Sequence, residues 1–192
     1  MSSLYVLFAL VALAAILYFG LYNSLIRRRN AVDQALSSVD VMLKKRFDLI
    51  PNLIATVERY MAHERDLLNE LTALRVKATS GGQDLSAEER VALDRQVSGA
   101  LGRLMIAVEN YPDLKASQNF LQLQGALNEV EEQLSAARRA YNAAATDYHN
   151  AIQTVPGNLI AGSMGLARRP LFEASEAERG NVDVGALFGR SS

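Results

Sequence analysis

The two histidines of this 192-residue sequence limit the metal and acid–base chemistry that it can support. His63-Glu64-Arg65-Asp66-Leu67 begins like the HExxH motif, in which two histidines one helical turn apart bind zinc. Leu67 stands where the second histidine would be, and one histidine at this spacing cannot fix zinc. We therefore interpret His63 as a surface or partly buried polar residue. His149 is predicted near the end of a long helix, where an imidazolium would suit the helix dipole.

Carboxylates and glycines are the other residues that could do chemistry. The glutamates cluster on two predicted helices, as Glu129, Glu131 and Glu132 and as Glu88 and Glu89. A di-metal bundle needs Glu-x-x-His pairs on facing helices, and none is present, so we interpret these glutamates as solvated charge. Gly162-Ser163-Met164-Gly165 lacks the preceding strand and the lysine of a phosphate-binding loop. The sequence has no Cys, which excludes thiolate chemistry. We predict no enzyme, no catalytic residue, no metal site and no cofactor.

The charge of the sequence is balanced, with 20 Lys and Arg against 21 Asp and Glu. Nucleic-acid binding needs a net basic face that neutralises phosphates, so we expect no nucleic-acid partner. The densest basic group beyond the first 30 residues is formed by Lys44, Lys45 and Arg46. Its simplest interpretation is a solvated helix face. The alternative is contact with anionic lipid or an acidic protein.

An apolar run without charge or proline occupies residues 4–22 and reads LYVLFALVALAAILYFGLY. About 19 residues rising 1.5 Å each extend roughly 28 Å, close to the hydrocarbon thickness of a bilayer. A cleavable signal peptide would have a basic residue before a shorter run and a small-x-small cleavage site after it. Residues 1–3 carry no basic side chain, and Asn23-Ser24-Leu25-Ile26 contains no small-x-small pair. We predict a retained single-pass transmembrane helix over 4–22.

Aromatic and basic residues flank this run and are the predicted membrane-interface residues: Tyr5, Tyr18, Tyr22, Arg27, Arg28 and Arg29. Tyrosine rings favour the two interfaces of a bilayer, and positive charge is retained on the cytoplasmic side. No Lys or Arg precedes the run. We therefore expect the N-terminus outside and the remaining domain in the cytoplasm. The arginines could alternatively contact anionic headgroups.

Residues 23–166 show helical periodicity and predict a bundle with helices at about 23–78, 86–110, 112–154 and 158–166. Apolar residues continue in three- and four-residue steps past Pro51, where we expect a kink or short break. Ser86 and Glu89 fit a capping box. The two proline-containing strings DLIPNL and YPDL either set bends and cap freed backbone groups or form a recognition corner.

The third predicted helix carries the clearest periodic pattern. Its apolar seam consists of Phe120, Leu123, Leu127, Val130, Leu134, Ala137, Tyr141, Ala144 and Tyr148. This heptad pattern predicts coiled-coil packing, and only the first helix is long enough to be its antiparallel partner. The tail, 167–192, includes Phe172, Leu187 and Phe188, which are candidate interaction residues because disordered tails contain few large apolar groups. We predict that it packs either on its own bundle or on a neighbour.

Several strings resemble the LemA family. They are LKKRFDLIPNLIATV at 43–57, LGRLMIAVENYPDLKASQNFLQLQ at 101–124, Tyr22-Asn23-Ser24-Leu25 with Arg29-Asn30, and the shorter ARRAYN, DYHNAI and LFEA. The resemblance covers nearly the whole chain and implies a membrane helix, a four-helix-bundle-like domain and no established enzymatic activity. Leu36 stands where we would expect Trp, and Val155 replaces an aromatic residue; both keep an apolar group.

Together these observations predict an all-α protein: an N-terminal transmembrane helix continuing into a long antiparallel bundle with an extended C-terminal tail. We expect a scaffold in the inner membrane of a bacterium, with the lipid bilayer and further copies of itself as partners. The alternative is an adaptor or regulatory subunit of another membrane protein, such as a peptidase or a transport system.

Overall fold

The computed structural model describes residues 2–81 and 85–172, and this part of the chain contains six helices and no strand. The helices are α1 (Ser2–Val57), α2 (Arg65–Gly81), α3 (Ala87–Val108), α4 (Pro112–Lys115), α5 (Gln118–Gln153) and α6 (Gly157–Ser163). The all-α prediction is confirmed.

Helix α1 runs without interruption for 56 residues, from the apolar run into the bundle. At 1.5 Å per residue it is about 84 Å long. The break expected at Pro51 is absent, because Ile50 and Leu53 are fully buried on either side and their packing holds the chain in the helix. The helix predicted over 23–78 is divided later, between Val57 and Arg65. Met61 is fully buried in that connection and directs the chain back toward the core.

Helices α1 and α5 form a long antiparallel pair, as predicted. Arg28 pairs with Asp147 near one end, and Arg46 lies beside Glu131 further along. The seam of α5 has a buried part, consisting of Phe120, Leu127, Val130, Leu134, Tyr141 and Tyr148. Its other members, Leu123, Ala137 and Ala144, are half-buried. The buried line instead includes Arg138 and Ala145, one residue further along the helix.

Helices α2 and α3 form a hairpin that covers only the half of this pair that lies farther from the apolar run. We call this the far half of the bundle and the other the near half. Arg90 of α3 pairs with Asp40, so α3 begins beside the middle of α1. The predicted capping box at the start of α3 is present: Glu89 N–H donates to Ser86 Oγ, and Glu89 accepts from the Ser86 N–H. The helix predicted over 112–154 is divided into α4 and α5 by Ser117, whose backbone is extended. Burial of Leu114 in the short α4 turns the chain into the core.

Helix α6 and the segment after it complete the near half of the bundle. The helix is shorter than the predicted 158–166 and follows a tight corner at Gly157. A Cβ on Gly157 would lie 2.1 Å from the carbonyl oxygen of Ala151, so only glycine fits there. Beyond α6 the chain runs back along α5 as far as Phe172. Leu187 and Phe188 lie outside the described residues.

Candidate functional site

A network of charged side chains is buried where α1, α3 and α5 meet. Its members are Arg46 of α1, Asp94 and Ser98 of α3, and Glu131 and Arg138 of α5. Arg46, Asp94 and Arg138 are only 6%, 6% and 5% exposed. Charged residues are almost never buried to this extent unless they are paired.

The two arginines and the two carboxylates alternate in this network. Asp94 Oδ1 accepts a hydrogen bond from Arg138 Nη2 at 2.6 Å and one from Arg46 Nη1 at 3.4 Å. Arg46 Nη1 also donates to Ser98 Oγ at 2.9 Å. Glu131 Oε1 accepts from Arg138 Nη1 at 3.0 Å. Glu131 Oε2 lies 3.2 Å from Arg46 Nη2, an ion-pair distance at which the hydrogen-bond angle is poor. Two positive and two negative groups therefore neutralise one another inside the bundle.

The pKa shifts follow from burial and from the closeness of the partners. Burial raises the pKa of Asp94, although Arg138 and Arg46 oppose the change. Burial lowers the pKa of Arg46 despite Glu131 and Asp94. Burial also acts to lower the pKa of Arg138, but the two carboxylates outweigh it and the pKa is raised. The pKa values of the two guanidinium groups shift in opposite directions because burial dominates at Arg46, whereas at Arg138, which lies closer to both carboxylates, the carboxylates outweigh burial. Both arginines remain protonated, as guanidinium groups do in proteins.

This network ties three helices together and brings no reactive group into a cavity. Removing one partner of a buried ion pair leaves an uncompensated charge and is strongly destabilising. Among residues 2–81 and 85–172, no three His, Asp or Glu side chains are grouped so that they could hold a metal ion. The arrangement is suited to fixing the register of α1, α3 and α5.

The sequence interpretation of Arg46 as part of a solvated helix face is wrong, because the residue is only 6% exposed. Glu131 keeps 37% of its side chain exposed while it pairs with both arginines. Lys44 and Lys45 are exposed, as expected, and Lys44 pairs with Asp48 at 2.7 Å. Arg46, in contrast, points into the core. Its position carried a signal, because it continues the three- and four-residue steps of the buried residues of α1: Val39, Leu43, Arg46, Ile50, Leu53 and Val57. A stripe drawn from apolar residues alone omits it.

A groove of about 600 Å³ lies between α1 and the α2–α3 hairpin. Leu43, Phe47 and Leu93 contribute its apolar wall. Its charged lining residues are engaged with one another, Asp40 with Arg90 and Lys44 with Asp48. Burial raises the pKa of Asp40, against the effect of Arg90. The groove therefore offers an apolar surface bordered by ion pairs.

The exposed apolar part of α1 is distinct from the bundle. Among the described residues, α1 alone is long and apolar enough to cross a bilayer, with a mean hydropathy of 2.5 over a window that has no residue buried in the bundle. Large apolar side chains from Leu4 to Phe19 are exposed, and Leu25 is the first buried residue. The change from an exposed apolar surface to a surface packed in the bundle therefore falls between Phe19 and Leu25.

The predicted interface residues lie on both sides of this change. Tyr5 is exposed near the start of α1. Tyr18 stacks on Tyr22, with ring centroids 6.5 Å apart. Arg27 is exposed, whereas the other two arginines approach carboxylates: Arg28 pairs with Asp147, and Arg29 Nε lies 4.0 Å from Asp33 Oδ2. Their contact with headgroups stays a prediction.

A separate group of polar side chains on α5 holds residues 169–172, the segment that follows α6. His149 Nε2 accepts a hydrogen bond from the Arg169 N–H at 2.9 Å. The Asn142 side chain donates to the Phe172 carbonyl and accepts from the Phe172 N–H, and Tyr141 Oη donates to the Pro170 carbonyl at 2.8 Å. Phe172 is 4% exposed and meets the Tyr141 ring edge-on. This candidate interaction residue therefore packs on its own bundle.

His149 acts differently from the imidazolium proposed from the sequence. Burial lowers its pKa, and the positive charge of Arg168 lowers it further. An imidazole nitrogen that accepts a hydrogen bond cannot carry a proton. The side chain is therefore in its neutral form while it holds the Arg169 amide.

An exposed apolar span joined to an all-helical bundle defines a membrane-associated helical protein. The LemA family model matches residues 35–185, which cover the bundle and not the span. Protein LemA of Metamycoplasma hominis is 31% identical to this chain over 170 residues, which are 88% of this chain and 77% of that protein. The chain belongs to the LemA family, as its sequence strings indicated.

Two magnetosome proteins are also similar to this chain. Magnetosome protein MamQ 2 of Paramagnetospirillum magneticum is 27% identical over 190 residues, covering 87% of this chain and 70% of that protein. Magnetosome protein MamQ of Magnetospirillum gryphiswaldense is 25% identical over 179 residues, covering 81% of this chain and 66% of that protein. The names of these relatives denote no enzymatic activity.

Proposed function

We propose that this protein is a membrane-anchored scaffold that associates laterally with its own copies and has no catalytic activity. The observation that carries the proposal is the continuity of α1, which bears the lipid-facing span and also supplies core residues of the bundle. Because no break in α1 separates the two parts, the orientation of the bundle is coupled to that of the span. Copies in one bilayer then present the same faces at the same height, which raises the effective concentration for weak contacts.

The charge balance supports self-association. Large net charge keeps proteins apart through repulsion, whereas this chain has a formal net charge of −1. Exposed pairs of basic and acidic side chains, such as Arg103 with Glu70 and Lys44 with Asp48, give the bundle surface mixed charge. Copies therefore approach one another without a long-range electrostatic barrier.

The test is the mass of the full-length protein in mild detergent, together with crosslinking in the membrane. We expect a particle whose protein mass corresponds to two or more chains of 21.0 kDa. Because the chain has no Cys, the single variants Val41→Cys, Ile106→Cys and Leu121→Cys report contacts without background. Val97→Cys, a change of similar size at a fully buried position, is the control that should not crosslink. A monodisperse monomer at micromolar concentration contradicts the proposal, and recovery of one stoichiometric foreign protein favours the adaptor instead.

We further propose that the N-terminus lies outside and the bundle in the cytoplasm, since the arginines follow the span and none precedes it. A membrane-impermeant maleimide applied to intact spheroplasts distinguishes the two orientations. The Ser3→Cys variant should be labelled, and the Ser80→Cys variant should be labelled only after permeabilisation. The reverse pattern contradicts this orientation and leaves the scaffold proposal in place.

A further inference from the structure

We propose that the corner between α5 and α6 is a second lipid contact, in which Val155 and Leu159 insert into the headgroup region of an anionic bilayer. The proposal rests on the membrane anchoring that underlies the proposed function and is independent of self-association. The contacted partner is the surface of the same membrane that α1 enters.

The position of the corner follows from its contact with α1. The Cβ that Gly157 lacks would lie 3.9 Å from Leu25 Cδ2, so the corner packs directly on Leu25. Leu25 is three residues beyond Tyr22, the end of the apolar run, which is an axial distance of about 4.5 Å. The headgroup region is roughly 5–7 Å thick on each side of the hydrocarbon. The corner therefore lies at the level of the headgroups.

The corner is also unusually apolar and exposed for a helix connection. Val155 is 77% exposed and Leu159 is 72% exposed, in a segment where turns normally carry polar residues. Residues 150–167 contain no Asp, Glu, Lys or Arg, which makes them the longest uncharged stretch after the N-terminal one. The buried partners Ile160 and Ala161 fix the short helix on the bundle, so Leu159 is held outward. The contact of Gly157 with Leu25 places this exposed surface just beyond the apolar run of α1.

Basic residues lie on α1 just beyond Leu25 and on the segment that follows α6. Arg27 and Arg168 are exposed, and Arg169 approaches Asp33 at 3.2 Å. With Arg28 and Arg29 on α1, five arginines and two carboxylates, Asp33 and Asp147, lie at this level. An apolar tip below a basic collar is the pattern that binds interfaces rich in anionic lipid.

The absence of Trp from the sequence permits a direct test with the full-length protein. Val155→Trp and Leu159→Trp each place one indole at the corner. Ile106→Trp is the matched control, because Ile106 is equally exposed at 73%. It lies near the far end of α3, about 45 Å from Tyr22 at the rise of a helix. Each variant is reconstituted into vesicles of phosphatidylcholine and phosphatidylglycerol whose acyl chains are brominated near the headgroup.

We expect blue-shifted emission at the corner and bromolipid quenching roughly twofold or more above that of Ile106→Trp, since quenching requires the indole to lie in the interface. Adding Arg27→Gln and Arg168→Gln should reduce that quenching. Emission at the corner that matches Ile106→Trp overturns the proposal when the vesicles still float with the protein. An indole that is shielded from aqueous iodide but not quenched by bromolipid also overturns it, because protein then covers the corner. Failure to float removes the anchoring itself, which distinguishes the two cases.

Discussion

Between Asp40 and Val57, helix α1 packs with α5 and with the α2–α3 hairpin around a buried ionic network, whereas between Leu25 and Val39 it packs with α5, α6 and an extended segment. The first region uses charge pairs at 2.6 to 3.4 Å to align three helices. The second uses aromatic packing and hydrogen bonds from α5 side chains to the backbone of residues 169–172, a segment without secondary structure. The α1–α5 pair is therefore covered by a helical hairpin in one half and by α6 and an extended segment in the other. The near half depends on residues at the end of the described chain.

The largest effect is expected from Asp94→Ala, which breaks the far half. The substitution leaves the Arg46 and Arg138 guanidinium groups buried beside Glu131 alone. Loss of one partner from a buried ion pair costs about 3–5 kcal/mol. Urea unfolding followed by circular dichroism in detergent should show this loss. Glu70→Ala, which removes an exposed pair with Arg103, is the control and should cost at most about 1 kcal/mol. Equal effects of the two variants would refute the structural role of the network.

Phe172→Ala tests the near half. Removal of a buried phenylalanine ring typically costs about 3 kcal/mol or somewhat more, and here it should also release the segment from Tyr141. Hydrogen–deuterium exchange should increase at residues 166–172 and along the facing part of α5, while α3 stays protected. The comparison between the halves fails if protection of α3 falls to the same extent.

A smaller effect is expected at the corner itself. Gly157→Ala places a methyl group against the Ala151 carbonyl, and forcing atoms into a packed site costs about 1–3 kcal/mol. Gly162→Ala is the matched control in the same short helix, where nothing lies within 4 Å of the added Cβ. Alanine there should be neutral or stabilise by about 0.5–1 kcal/mol, since helical glycine is entropically costly. The thermal midpoint of Gly157→Ala should therefore be lower than that of the wild type, and that of Gly162→Ala should be equal to it or higher. Equal midpoints for the two variants would contradict the close packing at Gly157.

The smallest effect concerns pH and sharpens the contrast between the halves. The pKa of His149 is lowered in the folded protein, so the unfolded chain binds more protons between the two pKa values. The stabilising contribution is therefore full above the unfolded pKa, near 6.5, and is lost as pH falls through the folded pKa. Protonation removes the acceptor for Arg169, a loss of about 1 kcal/mol.

The measurement is amide exchange of residues 166–172 between pH 7.5 and 5, corrected for intrinsic rates. We expect weaker protection at the lower pH in the wild type. His149→Gln offers an acceptor that does not titrate, and its protection should vary less over this range. The opposing contributions of Asp40 and Asp94, whose pKa values are raised, are common to both proteins and cancel in the comparison.

The sequence was sufficient for those features that depend on local pattern. The uncharged run, the periodicity of α5 and the pairing of Ser86 with Glu89 each predicted what the structure contains. Features set by distant packing were missed. No Gly or Pro in the sequence marks the end of α1 at Val57. The chain turns there because Met61, a distant packing contact, is buried in the core. Arg46 and Arg138 lie on the buried faces of their helices, where Asp94 on a third helix, together with Glu131, compensates their charge. The hydrogen bonds that hold residues 169–172 join partners 20 to 30 positions apart and leave no periodic trace.

Because α1 is undivided, the bundle and the proposed membrane span change their tilt together. With α1 anchored as proposed, the part of the helix from Tyr22 to Val57, about 52 Å long, would extend beyond the hydrocarbon edge. Transmembrane helices change tilt when bilayer thickness changes, and a tilt change of about 10° would displace the tip at Val57 by roughly 9 Å. In the proposed arrangement, a difference in thickness of the surrounding lipid would therefore produce a lateral displacement of the bundle far from the membrane.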